Sequence, residues 1–219
     1  MDLESKHSQR NRAVILEAAA NIIREGGLHA LKMTNLADKA KLTRWTIYNH
    51  FGNLDGVKRA LYDRHDYFVT NLPKIVALAT QENGAIQFDL LAHIITQHFD
   101  ALMKDPLSRE FAIAEFLRTD TVIAQMVAAR EQRMLKMLKA SGSSGLSKVS
   151  FPMEFLFPII LGGITYMAFQ YRIGGQTSCF GVGCLRKEFK ADMQQFLTQL
   201  IKLAVANGDD TRRIDNLAG

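Results

Sequence analysis

Apolar residues recur at helical spacing along almost the whole chain, and this periodicity constrains the fold more strongly than any other feature of the sequence. Ile15, Ala19, Ile22 and Ile23, for example, fall on one side of a predicted helix. No run of alternating apolar and polar residues indicates a β-strand, and the sequence contains no internal repeat. The pattern therefore predicts an all-α fold.

Glycine, proline and helix-capping residues divide the chain into predicted helices. Asp105 followed by Pro106 is the pattern of an N-cap and a first helical position. Two segments are predicted to lack helix: a flexible linker over residues 141–150 and a glycine-rich loop over residues 174–183. The predicted helices cover residues 10–25, 33–40, 44–51, 54–72, 85–104, 106 onward, a stretch from Thr119 or Asp120 to 139, 151–172 and 185–207.

Most of the net positive charge lies in the first third of the chain. The 219 residues carry a net charge of +5. Residues 1–65 contain 5 Lys and 6 Arg against 7 Asp and Glu, which is a surplus of +4 for that part alone. A local positive surplus attracts a polyanion, so the N-terminal part is predicted to meet nucleic acid.

The cysteine content and the N-terminus predict the compartment. Two Cys in 219 residues do not make a disulfide scaffold and favour a reducing environment. Residues 1–12 are polar and charged, without the apolar stretch of a secretory signal. We therefore expect a cytoplasmic protein.

Residues 151–171 form an apolar stretch long enough to be tested as a membrane span. Glu154 is its only charged residue, but Pro158, Gly162 and Gly163 interrupt it. A charge and helix-breaking residues are costly in lipid, so a helix buried in a bundle or a dimer interface is favoured and no membrane contact is predicted. The paired glycines would let a second helix approach closely.

Residues 31–57 contain two predicted eight-residue helices separated by a three-residue break, which is the spacing of a helix-turn-helix. On a helical wheel, Ile47 and Phe51 face inward from the second helix, and Leu42 seals the turn. Thr43 is the predicted N-cap of that helix. The opposite side of the helix carries polar and aromatic residues, as a helix that enters the DNA major groove requires.

The side chains on that outer side offer the chemistry of DNA recognition. Arg44 can pair with guanine or phosphate, Asn49 with adenine, and Thr46 can contact a thymine methyl group. Tyr48 and His50 can donate hydrogen bonds to phosphate oxygens. The predicted DNA-binding residues are Thr43, Arg44, Trp45, Thr46, Tyr48, Asn49, His50 and Lys41.

The run LADKAKLTRWTIYNHFGNLDGV, residues 36–57, resembles the N-terminal domain of the tetracycline-repressor (TetR) family. The resemblance covers roughly the first 45–60 residues. It implies a dimeric, all-helical bacterial regulator, most often a repressor, with a small-ligand cavity in its C-terminal part. The expected organisation is a three-helix helix-turn-helix DNA-binding domain over residues 1–54 and an effector-binding and dimerisation domain over residues 55–219.

The sequence departs from the family pattern at several positions. Lys32 stands where Ser or Thr usually caps the first motif helix, and Lys41 stands in the turn where a small residue is usual. Trp45 replaces a small residue, so base readout is expected to be unusual. Leu54 replaces a Lys that commonly holds phosphate. Lys41, Lys58, Lys6 or Arg10 could compensate for that missing charge, although Lys41 and Lys58 are more often simply solvated charges.

The residues beyond 66 hold 12 of the 13 Phe and 7 of the 9 Met. Such side chains can line an adaptable apolar cavity, although each of them can equally belong to the core. By resemblance to the family, the expected effector is mostly apolar, with histidines as polar handles. The residues expected to line its pocket are Phe99, Met103, Phe116, Met126, Phe155, Tyr166, His93 and His98.

The last two long helices carry more apolar residues than an outer layer should expose. Pairing them with the same helices of a second chain would give a four-helix dimer interface and a two-fold axis, which selects a pseudo-palindromic operator. The apolar residues of the last helix are predicted to form one stripe: Leu185, Phe189, Met193, Phe196, Leu200 and Leu203.

The leading prediction is thus a repressor that a small-molecule effector releases from double-stranded DNA. One alternative is switching without a small ligand, through a protein partner or through the thiols of Cys179 and Cys184, whose pKa Arg186 and Lys187 could lower. Another is an all-helical enzyme. No nucleophile–base pair, metal-ligand set or phosphate loop supports catalysis, so no cofactor, metal or enzymatic activity is predicted.

Overall fold

The computed structural model describes residues 3–71, 88–140 and 153–215. Within these ranges the regular structure is helical, apart from an isolated bridge between Cys179 and Val182. The prediction of an all-α fold is confirmed. The helices are α1 Leu3–Gly26, α2 Met33–Ala40, α3 Arg44–Phe51, α4 Leu54–His65, α5 Phe88–Lys104, α6 Pro106–Leu117, α7 Thr121–Ala140, α8 Met153–Arg172 and α9 Phe189–Asp215.

The chain forms two compact units. Unit 1 consists of Met1–Thr70 with Asp105–Gln132, and unit 2 of Asn71–Lys104 with Arg133–Gly219. The boundaries of these packing units differ from those of the predicted functional domains. The proposed domain boundary between residues 54 and 55 therefore stays a prediction.

Unit 1 is built around the apolar side of α1. The predicted stripe of that helix is buried, with Ile15 and Ala19 fully removed from solvent. The helix begins earlier than predicted, at Leu3, and ends at Gly26, next to Gly27, whose φ of 76° allows the sharp exit. The core around α1 draws on every helix of the unit and includes Leu36, Ile47, Leu61, Tyr62, Leu107, Phe111 and Ile123.

Local sequence signals located four helix starts correctly, three of them through a capping side chain. The bounds of α2 and α3 match the prediction. Asp105 caps α6 by accepting hydrogen bonds from the backbone N–H groups of Leu107 and Ser108. Asp120 is the residue that caps α7, because its carboxylate accepts from the N–H groups of Val122 and Ile123, at 2.9 and 3.1 Å.

The prediction of one helix over residues 54–72 is wrong, because α4 ends at His65. Asp66 leaves the helical conformation, and its carboxylate accepts a hydrogen bond from the N–H of Val69 at 2.8 Å. Asp66 therefore caps a new helical turn over residues 67–71. The same carboxylate pairs with Arg130 of α7 at 2.6 Å, a contact that local sequence patterns do not reveal.

In unit 2, α5 packs against α8 and α9. Phe99 and Phe189 lie with their ring centroids 5.3 Å apart in this core. The buried carboxylate of Asp100 pairs with Lys190 of α9 and, at 3.2 Å, with Lys104 of its own helix. These contacts hold α5 and α9 together by both apolar and charged side chains.

The last helix begins at Phe189 instead of Leu185, and its predicted apolar stripe is divided. Phe189 is buried, together with Leu197 and Ile201, which the prediction did not include. Phe196 and Leu203 point away from this core and are each 61% exposed.

Two predicted features lie wholly or partly outside the described residues. These are the linker over 141–150 and the first residues of the helices expected at 85 and 151. None of the helices in the described ranges combines the length and the apolar character that a membrane crossing needs.

Candidate nucleic-acid interface

The turn between α2 and α3 depends on the backbone conformation of Lys41. Its φ of 53° and ψ of 42° are left-handed, and its N–H bonds to carbonyls at the end of α2. A left-handed residue that is not Gly costs about 1 kcal/mol, which explains why a small residue is usual here. The side chain of Lys41 is exposed at this turn.

Thr43 caps α3 as predicted. Its hydroxyl oxygen accepts a hydrogen bond from the backbone N–H of Thr46 at 3.1 Å. The hydroxyl groups of the same two residues lie 2.9 Å apart. The Thr46 hydroxyl is therefore engaged within the first turn of the helix, and its side chain is half-buried.

The inward side of α3 is fixed by close packing. Ile47 is completely buried, and Leu42 and Phe51 pack against the same core, as the helical wheel predicted. At the start of α4, a Cβ atom on Gly56 would lie 1.9 Å from the carbonyl oxygen of Phe51, so only glycine fits. Asn53 caps α4 with a hydrogen bond from the Gly56 N–H at 2.9 Å.

Arg12 of α1 holds the C-terminal end of α3, and the sequence analysis missed this role. Its guanidinium donates to the carbonyl oxygen of His50 at 3.0 Å and lies 4.4 Å from the ring centroid of Phe51. A cation at a helix C-terminus satisfies a free carbonyl and complements the helix dipole. The two partners are 38 residues apart, so no local pattern could have indicated the contact.

The outer side of α3 presents the predicted recognition residues to solvent. Arg44 and Asn49 are exposed, Trp45 is 72% exposed and Tyr48 is 47% exposed. Among the residues that the structure describes, none is a partner for these four side chains. His50 is half-buried. The structure thus places Arg44, Trp45, Tyr48 and Asn49 on one accessible helix surface, which we call the α3 outer face.

Side-chain contacts tie α4 to α6 and α7 within unit 1. Lys58 pairs with Asp120 at 2.6 Å, and both side chains are largely buried. This ion pair occupies Lys58, so Lys58 does not replace the phosphate-binding Lys that is usual at position 54. Leu54 itself packs against the core.

The distal end of α4 is held by two further polar groups. Arg130 donates to the hydroxyl of Tyr62 at 3.0 Å and to Asp66 and Glu115, each at 2.6 Å. The ring nitrogen Nδ1 of His65 lies 2.8 Å from Asp105. Buried charges are stable only when they are paired in this way.

These contacts shift the pKa values of the groups involved. Burial alone would lower the pKa of Arg130, but the Asp66 and Glu115 carboxylates outweigh it and raise the pKa above its usual range. Burial raises the pKa of Tyr62, and the neighbouring Asp66 adds to the effect. Burial would also raise the pKa of Asp105, but hydrogen bonds from His65 and Ser108 lower it to about 2.

The residues predicted to line an effector pocket are distributed over both units. Phe116 and Met126 belong to unit 1, where Phe116 is exposed and Met126 is buried. Phe99, Met103, Tyr166, His93 and His98 belong to unit 2. There Phe99 is buried, Met103 and His98 are half-buried, and Tyr166 and His93 are exposed. The side chain of Phe155 lies outside the described residues, and the pocket assignment stays a prediction.

Tyr171 holds the loop that contains Cys179 and Cys184. The Tyr171 hydroxyl accepts a hydrogen bond from the Cys179 N–H at 3.1 Å and donates to the carbonyl of Val182. Both thiols are reduced and buried. The expected lowering of the Cys184 pKa is wrong, because burial raises it and Arg186 pairs with Asp192 at 2.5 Å instead. Across the described residues, no cluster of three or more His, Cys, Asp or Glu could hold a metal.

The N-terminal part matches a known family model. Residues 15–62, which span α1 to α4, match the model described as bacterial regulatory proteins, tetR family. The DNA-binding part of the chain is thus that of the TetR family. The helix-turn-helix in this part makes the chain a DNA-binding transcriptional regulator.

Solved structures share the fold of this chain at low sequence identity. GusR from Salmonella enterica is 17% identical, with a TM-score of 0.58 over 88% of this chain and 96% of that one. FadR from Bacillus subtilis, solved in complex with stearoyl-CoA, is 18% identical, with a TM-score of 0.59 over 88% of this chain and 97% of that one. No curated protein matches the chain in sequence.

Proposed function

We propose that this regulator is a cytoplasmic repressor, which a mostly apolar small molecule releases from a pseudo-palindromic DNA operator. The observation that carries the proposal is the α3 outer face. Its side chains include a guanidinium, an amide, an indole and a phenol on a helix whose other side is fixed in the core. A rigid helix with an accessible polar face is suited to base readout in the major groove.

A two-fold dimer would supply the second recognition helix, and unit 2 carries a surface suited to it. Ile159, Gly162, Gly163 and Tyr166 are exposed and fall at helical spacing on one side of α8. Nothing lies within 4 Å of a Cβ atom placed on either glycine. Phe196 and Leu203 of α9 add further exposed apolar area. Such a stripe supports close packing against another helix, as the proposed four-helix interface requires.

The polar contacts of unit 1 offer a route by which an effector could act on DNA binding. Lys58, His65 and Asp66 join α4 to α6 and α7, and the backbone of Gly56 places the start of α4 directly against the Phe51 carbonyl at the end of α3. A ligand that favours another position of α6 or α7 would therefore move α4 and the recognition helix. Its differential affinity for the two arrangements sets how far DNA affinity falls.

An apolar effector is supported by composition and by one structure of the same fold. The Phe- and Met-rich part beyond residue 66 can form an adaptable apolar site. The FadR structure holds stearoyl-CoA, so this fold accommodates a ligand with a long alkyl chain. Stearoyl-CoA and free stearate are thus suitable first probes, and together they separate recognition of the alkyl chain from recognition of the nucleotide.

The test begins with selection of duplex DNA by the full chain from a random pool. We expect an enriched sequence with two related half-sites. Arg44→Ala should weaken binding to it about 10-fold or more, the usual worth of a specific arginine contact. Arg24→Ala, which removes the same charge from α1, serves as the control and should bind normally. Binding without sequence preference, or equal binding by both variants, would contradict the proposed interface.

Repression and its release are tested separately. A reporter gene behind the selected operator should be silenced by the wild-type chain and not by Arg44→Ala. Stearoyl-CoA or stearate should lower operator affinity in a binding assay if the effector is an alkyl compound. A reporter that the chain activates would refute repression while leaving DNA binding intact.

A further inference from the structure

Trp45 is the largest side chain on the α3 outer face, and the fold does not use it. Its indole is 72% exposed in the first turn of α3, whereas Ile47, two residues later, is completely buried. Within the described ranges the indole makes no hydrogen bond and no contact with another aromatic ring or a cation. Packing in the core of unit 1 therefore does not explain why a tryptophan occupies this position.

The position of Trp45 places it among groups that can read base edges. Asn49 lies four residues further along α3, on the same side, and Arg44 precedes Trp45 directly. Both neighbours are exposed and carry donors suited to purine bases. A helix that brings Arg44 and Asn49 to base edges therefore also carries the indole into the major groove.

The chemistry of the indole limits what it can read there. It has one N–H donor, no acceptor and a large apolar surface. The only apolar group that a base pair presents in the major groove is the C5-methyl group of thymine. Thr46, the other residue suited to that methyl group, is half-buried and engaged with Thr43.

We propose that Trp45 is a specificity-determining residue of the interface, beside Arg44 and Asn49, and that it recognises the C5-methyl group of thymine in the operator. The inference rests on the proposed function, because it assumes that the α3 outer face enters the major groove. It goes further by naming the chemical group that sets the base preference.

Replacement of thymine by uracil tests this directly. Uracil keeps the base pair and the O4 acceptor and lacks only the methyl group. In the selected operator, uracil at one thymine position of each half-site should weaken binding by the wild-type chain about 4-fold per methyl group, the loss expected for one unburied methyl. The same substitution should have no effect on Trp45→Ala. Trp45→Phe, which keeps an aromatic ring, should retain part of the thymine preference.

The chain itself provides a second readout, because Trp45 is its only tryptophan. Operator binding should shift its fluorescence to shorter wavelength and protect it from acrylamide, a neutral quencher. Phe180→Ala, which removes another exposed aromatic ring outside α3, is the matched control and should keep the full response to uracil. Circular dichroism should show that Trp45→Ala is folded, since the indole is largely exposed and lies outside the core.

The outcomes separate this inference from the proposed function. If labelled operator binds but Trp45 fluorescence is unchanged, or uracil affects wild type and Trp45→Ala equally, Trp45 does not read thymine and the repressor proposal stands. If Trp45→Ala weakens binding to all duplexes uniformly, the residue contacts the backbone and the inference is overturned. If no duplex is enriched or bound, the proposed function fails, and this inference with it.

Discussion

In unit 1, the buried charged side chains of α4 and α7 are paired with one another or with their neighbours, whereas in unit 2 the long helices α8 and α9 carry large apolar side chains exposed to solvent. Lys58 and Arg130 illustrate the first case, and Ile159 and Phe196 the second. Internal pairing fixes the geometry that presents α3. Exposed apolar area has no use within one chain and is suited to a second copy. Unit 1 therefore uses its buried charged groups for contacts within the chain, whereas unit 2 carries apolar surface that is suited to contact with another chain.

The largest effect should come from breaking the internal pairing of unit 1. Arg130→Met would leave the carboxylates of Asp66 and Glu115 without their cation in a buried site. Removal of one partner of a buried charge group costs about 3–5 kcal/mol. The free energy of unfolding, measured with urea, should fall by this amount. Arg24→Met, which removes an exposed pair with Glu17, should cost little. Equal losses of unfolding free energy in both variants would show that the buried ion pairs of Arg130 stabilise the fold no more than an exposed pair does.

The next largest effect should appear in unit 2 and concern assembly instead of folding. Phe196→Glu places a charge in the proposed dimer surface and should weaken dimerisation at least about 30-fold, as loss of an interface anchor does. Leu203→Glu should act in the same way. Gln195→Glu, an exposed neighbour on another side of α9, is the charge-matched control. Sedimentation at several concentrations measures the effect, and unchanged dimers of Phe196→Glu would place the interface elsewhere.

The smallest effect concerns the pH dependence of unit 1. The pKa of Asp105 is lowered to about 2 in the folded chain, from an ordinary value of 3.8. Its stabilising contribution is therefore complete above about pH 5 and is lost as the pH falls through about 2, by at most about 2 kcal/mol.

One variant separates the contribution of the Asp105 charge from the contributions of the other carboxylates to the pH dependence of stability. Asp105→Asn keeps a capping oxygen and removes the charge that pairs with His65. The difference in unfolding free energy between wild type and variant should be constant above pH 5 and shrink towards pH 2. A difference that is unchanged over this range would mean that the charge of Asp105 does not contribute.

Local signals were sufficient for much of the DNA-binding part. The bounds of α2 and α3, the Thr43 cap and the Asp105–Pro106 start depend on interactions within about four residues, which the sequence displays directly. The break of α4 at Asp66 depends on Arg130, which is 64 residues away, and the support of α3 depends on Arg12. Periodicity also could not tell which side of α9 faces the core, because both sides carry apolar residues.

The sequence by itself determined that the chain is helical, that residues 31–57 form a helix-turn-helix and which side of its second helix is exposed. Helical periodicity and capping depend on residues that are close together in sequence, so the sequence shows them directly. Only the tertiary structure decided that Lys58 forms an ion pair with Asp120. It also decided that the Thr46 hydroxyl contacts Thr43 while Trp45 is accessible. Phe196 and Leu203 remain exposed for the same kind of reason. Those outcomes depend on residues far apart in sequence competing for the same partners and the same buried volume.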